Sequence, residues 1–188
     1  MGNQLYHHAW GIDLSEMGAP YLAGQISYGK SQVLMRDYET RQSVLTVILE
    51  MCKDVAMRTR VAGKVGRTIH LGIGYSRNSF GGGFSRSKSI HEANNDATTI
   101  YNVYVDLFDK FYDHRPVRNV SISITNLESE TSMQLNLFEE DKWQNRKLAA
   151  AMDDIRKRFG STAILRGVSL TKDGTAIKRS KLVGGHKG

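Results

Sequence analysis

Hydrophobic and polar positions change period several times along the chain, and each change marks an element. From Gln25 to Met35 the apolar residues Ile26, Tyr28, Val33, Leu34 and Met35 read as a strand, with a change of phase near Gly29 that predicts a bulge there. A helix follows, opening at Asp37 or Tyr38. Val44, Leu45, Ile48, Cys52, Val55 and Ala56 recur at spacings of three and four, which is one helical face, and the pattern stops near Arg60, ahead of Gly63. Arg67 to Tyr75 alternates: Ile69, Leu71, Ile73 and Tyr75 point one way, Thr68, His70, Gly72 and Gly74 the other. Phe80-Gly81-Gly82-Gly83 is a hairpin loop, and Phe84 to Ile90 returns as the partner strand. A second helix spans Asp96 to Tyr112, capped by Asn95 or Asp96, with the stripe Ile100, Val103, Tyr104, Leu107, Phe108, Phe111. Val117 to Leu127 alternates again, with Val120, Ile122 and Ile124 inward and Ser121, Ser123 and Thr125 outward.

The order is β-α-β-β-α-β. Two helices with one apolar stripe each and four strands with one apolar face each close as an α+β two-layer sandwich of the split type: a four-stranded antiparallel sheet with both helices on one face. The other sheet face is left to solvent. Residues 1–24 read as a tail, and 25–127 as the folded module. Residues 128–147 form a polar linker. Residues 148–188 form a basic appendix, in which Leu148, Met152, Ile155 and Phe159 predict a third amphipathic helix stopped by Gly160. Ala163 to Leu170 predicts one short strand, and Lys172-Asp173-Gly174 a turn.

Composition adds a partner class. The chain has 188 residues and a net charge of +7. A basic protein of this kind suits a polyanionic partner. The charge is also segregated: Lys142 to Gly188 holds twelve Lys/Arg against three Asp/Glu, whereas Glu128 to Asp141 holds five acidic residues and no basic ones. No apolar run approaches the ~20 residues of a membrane span, and no signal peptide is visible, so a cytoplasmic protein is expected. Cys52 is the single cysteine. Its place in a helical stripe makes it a small buried hydrophobe, and neither a disulfide framework nor a cysteine zinc site is expected.

The outward strand residues are small or hydroxylic. They include Gly72, Gly74, Ser121, Ser123 and Thr125. The hairpin partner adds Ser85, Arg86, Ser87 and Lys88, the first strand adds Lys30, Ser31, Gln32 and Arg36, and Arg67 opens the alternating strand. Small side chains let a phosphate backbone approach, and hydroxyls and cations supply donors, so this set is the candidate DNA contact, gripping without reading sequence. A merely solvated antiparallel face has the same composition. The phase of Phe84 to Ile90 leaves two possibilities: a bulge, or cations that flank the core. An RNA-binding module shares the topology but calls for exposed aromatics on its central strands, and Arg67 to Tyr75 offers none on its outward side.

Gln134-Leu135-Asn136-Leu137-Phe138 follows the last strand in an acidic stretch. Leu137 and Phe138 are hydrophobic anchors, Leu135 is a lesser one, and Gln134 supplies an amide that fixes register. The same residues can instead pack back on their own chain. The pattern Gln-Leu-x-Leu-Phe resembles the peptide by which bacterial polymerases and repair proteins bind the sliding clamp.

With that peptide, the segments His8-Ala9-Trp10-Gly11-Ile12-Asp13, Ser27-Tyr28-Gly29-Lys30, Gly66-Arg67-Thr68-Ile69-His70-Leu71-Gly72, Gly83-Phe84-Ser85-Arg86-Ser87 and Leu182-Val183-Gly184-Gly185-His186-Lys187 carry a resemblance over nearly the whole chain. It is to the C-terminal part of Y-family translesion DNA polymerases, the UmuC/ImpB/MucB/SamB group of Gram-positive bacteria, their phages and plasmids. The resemblance implies that residues 25–127 are a little-finger domain gripping template-primer DNA, and that residues 1–20 end a thumb. It further implies that Gln134, Leu135, Leu137 and Phe138 dock on the β subunit sliding clamp during SOS-type, error-prone repair. The palm, which in that family binds magnesium for nucleotidyl transfer, has no counterpart here, so this chain is expected to hold no catalytic centre or cofactor and to be inactive alone. A stand-alone adaptor that binds DNA and clamp without catalysis is the alternative. The basic appendix is left open between a further DNA contact, a contact to a recombinase filament, and a solvated face. His7-His8 lacks a third ligand, and Phe80-Gly81-Gly82-Gly83 lacks the lysine of a phosphate loop.

Overall fold

A computed structural model of the chain describes residues 2–12, 26–130, 140–183 and 186–187. Helix α1 (Gly2–Ala9) lies in the stretch read as a tail. Strand β1 (Tyr28–Tyr38), helix α2 (Arg41–Val61), strands β2 (Lys64–Tyr75) and β3 (Gly83–Asn94), helix α3 (Ala97–Phe111) and strand β4 (Val117–Ser129) follow. The sheet order is β1-β4-β2-β3, antiparallel throughout. This is the expected α+β sandwich: the final strand inserts between β1 and β2, which is what splits the unit.

Two local expectations shift. Helix α2 begins after Thr40, whose hydroxyl accepts the Ser43 amide at 3.2 Å. Asp37 and Tyr38 remain in the strand: Asp37 accepts the Ser76 hydroxyl at 2.6 Å, and Tyr38 is buried opposite Val117. The Ser76 bond, with Arg118 also bonded, holds the Asp37 carboxyl below its ordinary range. The irregularity in β1 lies between Val33 and Tyr38, not at Gly29. Gly29 runs straight through the ladder, where a Cβ would press on Ser123 Cβ at 3.0 Å, so this glycine serves close strand approach and not a bulge.

The core is a single apolar layer between sheet and helices. Ile69, Leu71, Ile122 and Ile124 meet Val44, Ile48, Met51, Ile100, Tyr104 and Phe108, all buried. The buried Tyr104 hydroxyl is satisfied by donating to the Ser123 carbonyl at 3.2 Å. The Cys52 thiol is enclosed, donates weakly to the Ala97 carbonyl at 3.4 Å, and is pushed up in pKa by burial. It packs as the small hydrophobe expected.

The C-terminal segment departs further. Helix α4 spans Glu140–Phe159, so it starts well before Leu148. Its predicted stripe does not face the module: Leu148 and Phe159 are 60 % and 75 % exposed, whereas Asp153 is buried. No strand forms at Ala163 to Leu170. A 3-10 turn occupies Gly167–Leu170, and the turn at 171–174 closes with the Gly174 amide on the Thr171 carbonyl at 3.1 Å. Gly174 sits so close to the Ser169 carbonyl that a Cβ would meet it at 2.1 Å. That contact requires a compact turn, which the apolar residues of the segment do not reveal. Helix α5 (Ala176–Arg179) and the two-residue strands β5 (Leu182–Val183) and β6 (His186–Lys187) complete the chain.

Candidate nucleic-acid interface

The strand register sorts the outward residues. Gly72 pairs with Ser121 on one side and Ser85 on the other, and His70 with Ser123 and Ser87; Thr68 lies between Thr125 and Ser89. Ser31 pairs with Ser121 across the β1–β4 ladder. Glycine and hydroxyl residues therefore dominate one surface over all four strands, opposite the apolar layer, with the His70 imidazole in its middle and an exposed Val33 on β1. Its glycines are needed for that flatness. A Cβ on Gly72 would meet Ser121 Oγ at 2.4 Å, and one on Gly74 would touch Asn119 Cβ at 3.0 Å. The hydroxyls are tied to one another: Thr68 to Ser89 at 3.2 Å, His70 Nε2 to Ser85 at 2.8 Å, Ser121 to the Gly72 carbonyl at 3.4 Å, and Asn126 to Thr68 at 2.7 Å. Such a surface presents mostly short, oriented polar groups, along which a sugar-phosphate backbone can lie.

The candidate residues do not share this face. Ser31, Ser85, Ser87, Ser121 and Ser123 do. Lys30 and Gln32 pair with Ile122 and Val120, and Lys88 and Arg86 with Ile69 and Leu71, so all four project on the helix side. The expectation that they join the outward set is corrected by the strict two-residue period of β1 and β3 over these pairs. For β3 the cations flank the core, one of the two possibilities its phase left open. Arg86 lies over the Phe111 ring at 4.9 Å, and Lys88 bonds Asp106 at 3.1 Å. Lys30 bonds Asp54; burial, the largest cause, lowers its pKa despite that partner. Gln32 accepts from Arg179 at 3.0 Å. Arg36 pairs with Asp173 at 2.6 Å. Arg67 forks onto Glu128 at 3.0 Å, which raises its pKa, and also donates to the His91 carbonyl. The cations thus stand around the sheet while hydroxyls occupy its face. Gln134, Leu135, Leu137 and Phe138 lie outside the described residues.

The sequence pattern of the impB/mucB/samB family C-terminal domain matches residues 25–137. The chain belongs to this family. The match starts just before β1, covers the sheet module and ends inside the Gln134–Phe138 peptide, so the α4 segment lies beyond the family domain. Among curated relatives, UvrX of Bacillus subtilis (strain 168), named for UV-damage repair, is 54% identical over the whole of this chain and 45% of its own length. The DNA repair protein homolog YobH of the same strain is 58% identical over 60% of this chain and 52% of its own. DNA polymerase IV 2 of that strain is 36% identical over 98% and 45%. The chain spans about half the length of the curated relatives it matches.

One feature of the family domain went unread in the sequence. Ser76 accepts the Asn78 amide at 3.3 Å, starting a 3-10 turn at Arg77–Ser79. Phe80 follows in a left-handed conformation, fully exposed. The Arg115 guanidinium donates to the carbonyls on both sides of it, Ser79 and Gly81, and lies 4.5 Å over the Tyr75 ring. An aromatic held out on a fastened loop can stack on a flat partner. Its signal was a large apolar residue placed directly before three glycines. Among the described residues there is no group of three or more His, Cys, Asp or Glu side chains placed to hold a metal, and no helix is long and apolar enough to cross a membrane.

Proposed function

We propose that this chain is the DNA-binding, clamp-tethering part of an error-prone translesion polymerase acting in DNA repair. The carrying observation is the surface rich in glycine and hydroxyl groups across four strands, in a domain whose relatives are named for DNA repair and for DNA polymerase IV. Template-primer DNA lies along that surface, with Ser31, Ser85, Ser87, Ser121 and Ser123 beneath it and Phe80 at one end. Arg67 serves from the rim. Its pair with Glu128 is exposed on both sides and of the kind worth ~0–1 kcal/mol, so a phosphate can replace the carboxylate at small cost. The peptide Gln134, Leu135, Leu137, Phe138 tethers the polymerase to the sliding clamp and keeps it near primer ends through effective concentration. Chemistry and its magnesium belong to a palm domain supplied elsewhere in such a polymerase.

Replacing Ser121 and Ser123 together by Asp sets two negative charges on the face. Template-primer affinity should fall about tenfold or more, as like charge meets phosphate, measured at a temperature where the circular dichroism of the variant matches that of the parent. Unchanged affinity would remove the face from the DNA path. Replacing Leu137 and Phe138 by Ala should abolish the heat of titration with the clamp β subunit and leave DNA binding intact. An unaltered titration would end the tether assignment.

A further inference from the structure

On the helix side of the sheet, the outer surface of α2 and the C-terminal segment line a half-open cavity of about 490 Å³. Small-ligand pockets run from ~300 to 1,000 Å³. Its wall carries five cations, Lys30, Lys53, Arg58, Arg156 and Arg179, against two carboxylates, Glu50 and Asp54.

The carboxylates are already engaged. Asp54 holds Lys30, and Arg179 at 2.9 Å. Glu50 is 4 % exposed, and its Oε2 accepts both the amide and the hydroxyl of Thr175, at 2.9 and 2.7 Å. Three cations are left facing the space with little compensation. Arg58 donates to the Gly29 carbonyl at 2.6 Å. Arg156 donates to the Ile164 carbonyl at 3.2 Å and reaches Asp153, itself gripped by Arg60, only at 3.6 Å. Lys53 makes no hydrogen bond or ion pair among the described residues.

Hydroxyl donors stand in the same wall, at Ser161, Thr162 and Ser180. Converging guanidinium, ammonium and hydroxyl donors are the chemistry that holds a phosphoryl group. We propose that this cavity is a binding site for a small phosphate-bearing anion, a phosphate monoester or diphosphate, held by Lys53, Arg58 and Arg156.

The electrostatics of Lys53 agree. Burial, then Arg166 and Arg156, lower its pKa to about 8, and Glu50 and Asp54 on its own helix only partly offset them. The site has more positive charge than it can neutralise, and a phosphate would restore the proton that Lys53 sheds. The site stands apart from the sheet face, so neither reading depends on the other.

The test is calorimetry on the full chain near pH 8, with inorganic pyrophosphate and ADP as probes. Saturable binding is expected, weakened about tenfold or more by Lys53→Gln, the loss of one charge-assisted contact. The thermal midpoint should not fall, because Lys53 supports no contact of the fold and its half-buried charge costs stability. Two buffers of different ionisation enthalpy should reveal proton uptake on binding in the parent chain and none in K53Q. Short oligonucleotides distinguish the sources of phosphate. A preference for a 5′-phosphorylated strand over its 5′-hydroxyl twin, lost in K53Q, assigns the site to nucleic-acid ends. Equal binding of the two, with ADP still bound, assigns it to free nucleotides. Absence of saturable binding of either probe up to about 10 mM, or equal affinity in K53Q, overturns the proposal. So does a K53Q variant that loses template-primer DNA as strongly as pyrophosphate, since the cavity would then be a stretch of the DNA path.

Discussion

The sheet module and the segment after it are built by different physics. The module is closed by apolar burial: twenty-three residues from strands and helices form one hydrophobic cluster, so no single contact decides its existence. In the described part of the C-terminal segment, the buried residues are Asp153, Ser169 and Thr175, all polar, while Leu148, Phe159, Leu170 and Ile177 stay exposed. What seats the segment is a short set of directional anchors on the module. Arg60 forks onto Asp153 at 2.8 and 3.1 Å and donates to the Asn95 carbonyl at 2.7 Å. Glu50 receives Thr175. Tyr38 donates to the Asp173 carbonyl at 3.1 Å. The second oxygen of Glu50 is buried without a hydrogen-bond partner among the described residues, so the seat is not fully satisfied. Apolar burial is diffuse and forgiving; buried charges are specific and fail one at a time. The module should therefore fold as a unit that can keep its shape while the segment lets go.

The largest expected effect lies in the module. Phe108 is fully buried and stacks on Tyr112 at 4.4 Å between ring centroids. Phe108→Ala should cost about 4 kcal/mol from lost burial and the cavity left behind, read from urea unfolding, and should lower sheet and segment together. A loss confined to residues 140–183 would contradict the view that the segment depends on the module.

Arg60→Ala should act on the joint. Asp153 would keep only the longer contact to Arg156, and an uncompensated buried carboxylate costs about 3 kcal/mol. Hydrogen exchange should then speed up in residues 140–183 while sheet amides keep their protection. Equal loss of protection in β2 and β4 would show that the two regions form one cooperative unit.

Lys53 gives the smallest effect and the opposite sign. Below about pH 8 the folded and unfolded states both hold its proton, and the folded state bears the full cost of a half-buried charge among arginines. From about 8 to 10.5 the folded state releases the proton first, so stability rises with pH; above 10.5 the cost is gone. Lys53→Met should thus stabilise the protein at pH 7 by about 1 kcal/mol, after discounting for the exposed part of the side chain. The gain should fade as pH approaches 10.5. A gain independent of pH would point to packing, not charge.

The site was partly legible. Alternation placed Ser121, Ser123, Gly72 and Gly74 on one face because a half-buried strand leaves no other arrangement. The same rule, followed strictly through β1 and β3, sends Lys30, Gln32, Arg86 and Lys88 to the helix side. A bulge assumed at Gly29 hid this in β1, where the glycine instead allows two strands to approach. The exposed Phe80 and the cationic cavity had no periodic signal, since a loop aromatic and a pocket between distant segments leave none.

By itself the sequence determined the order of strands and helices, the apolar layer and the family, because periodicity and local propensity act within a few residues. Only the tertiary structure decided which cations stand at the sheet rim and which line the cavity. It alone decided that Asp153 and Thr175, not Leu148 and Phe159, seat the C-terminal segment. Those outcomes depend on partners ninety residues and more away in the chain, Arg60 for Asp153 and Glu50 for Thr175. A buried charge goes where its counter-charge is, and no local pattern encodes that distance.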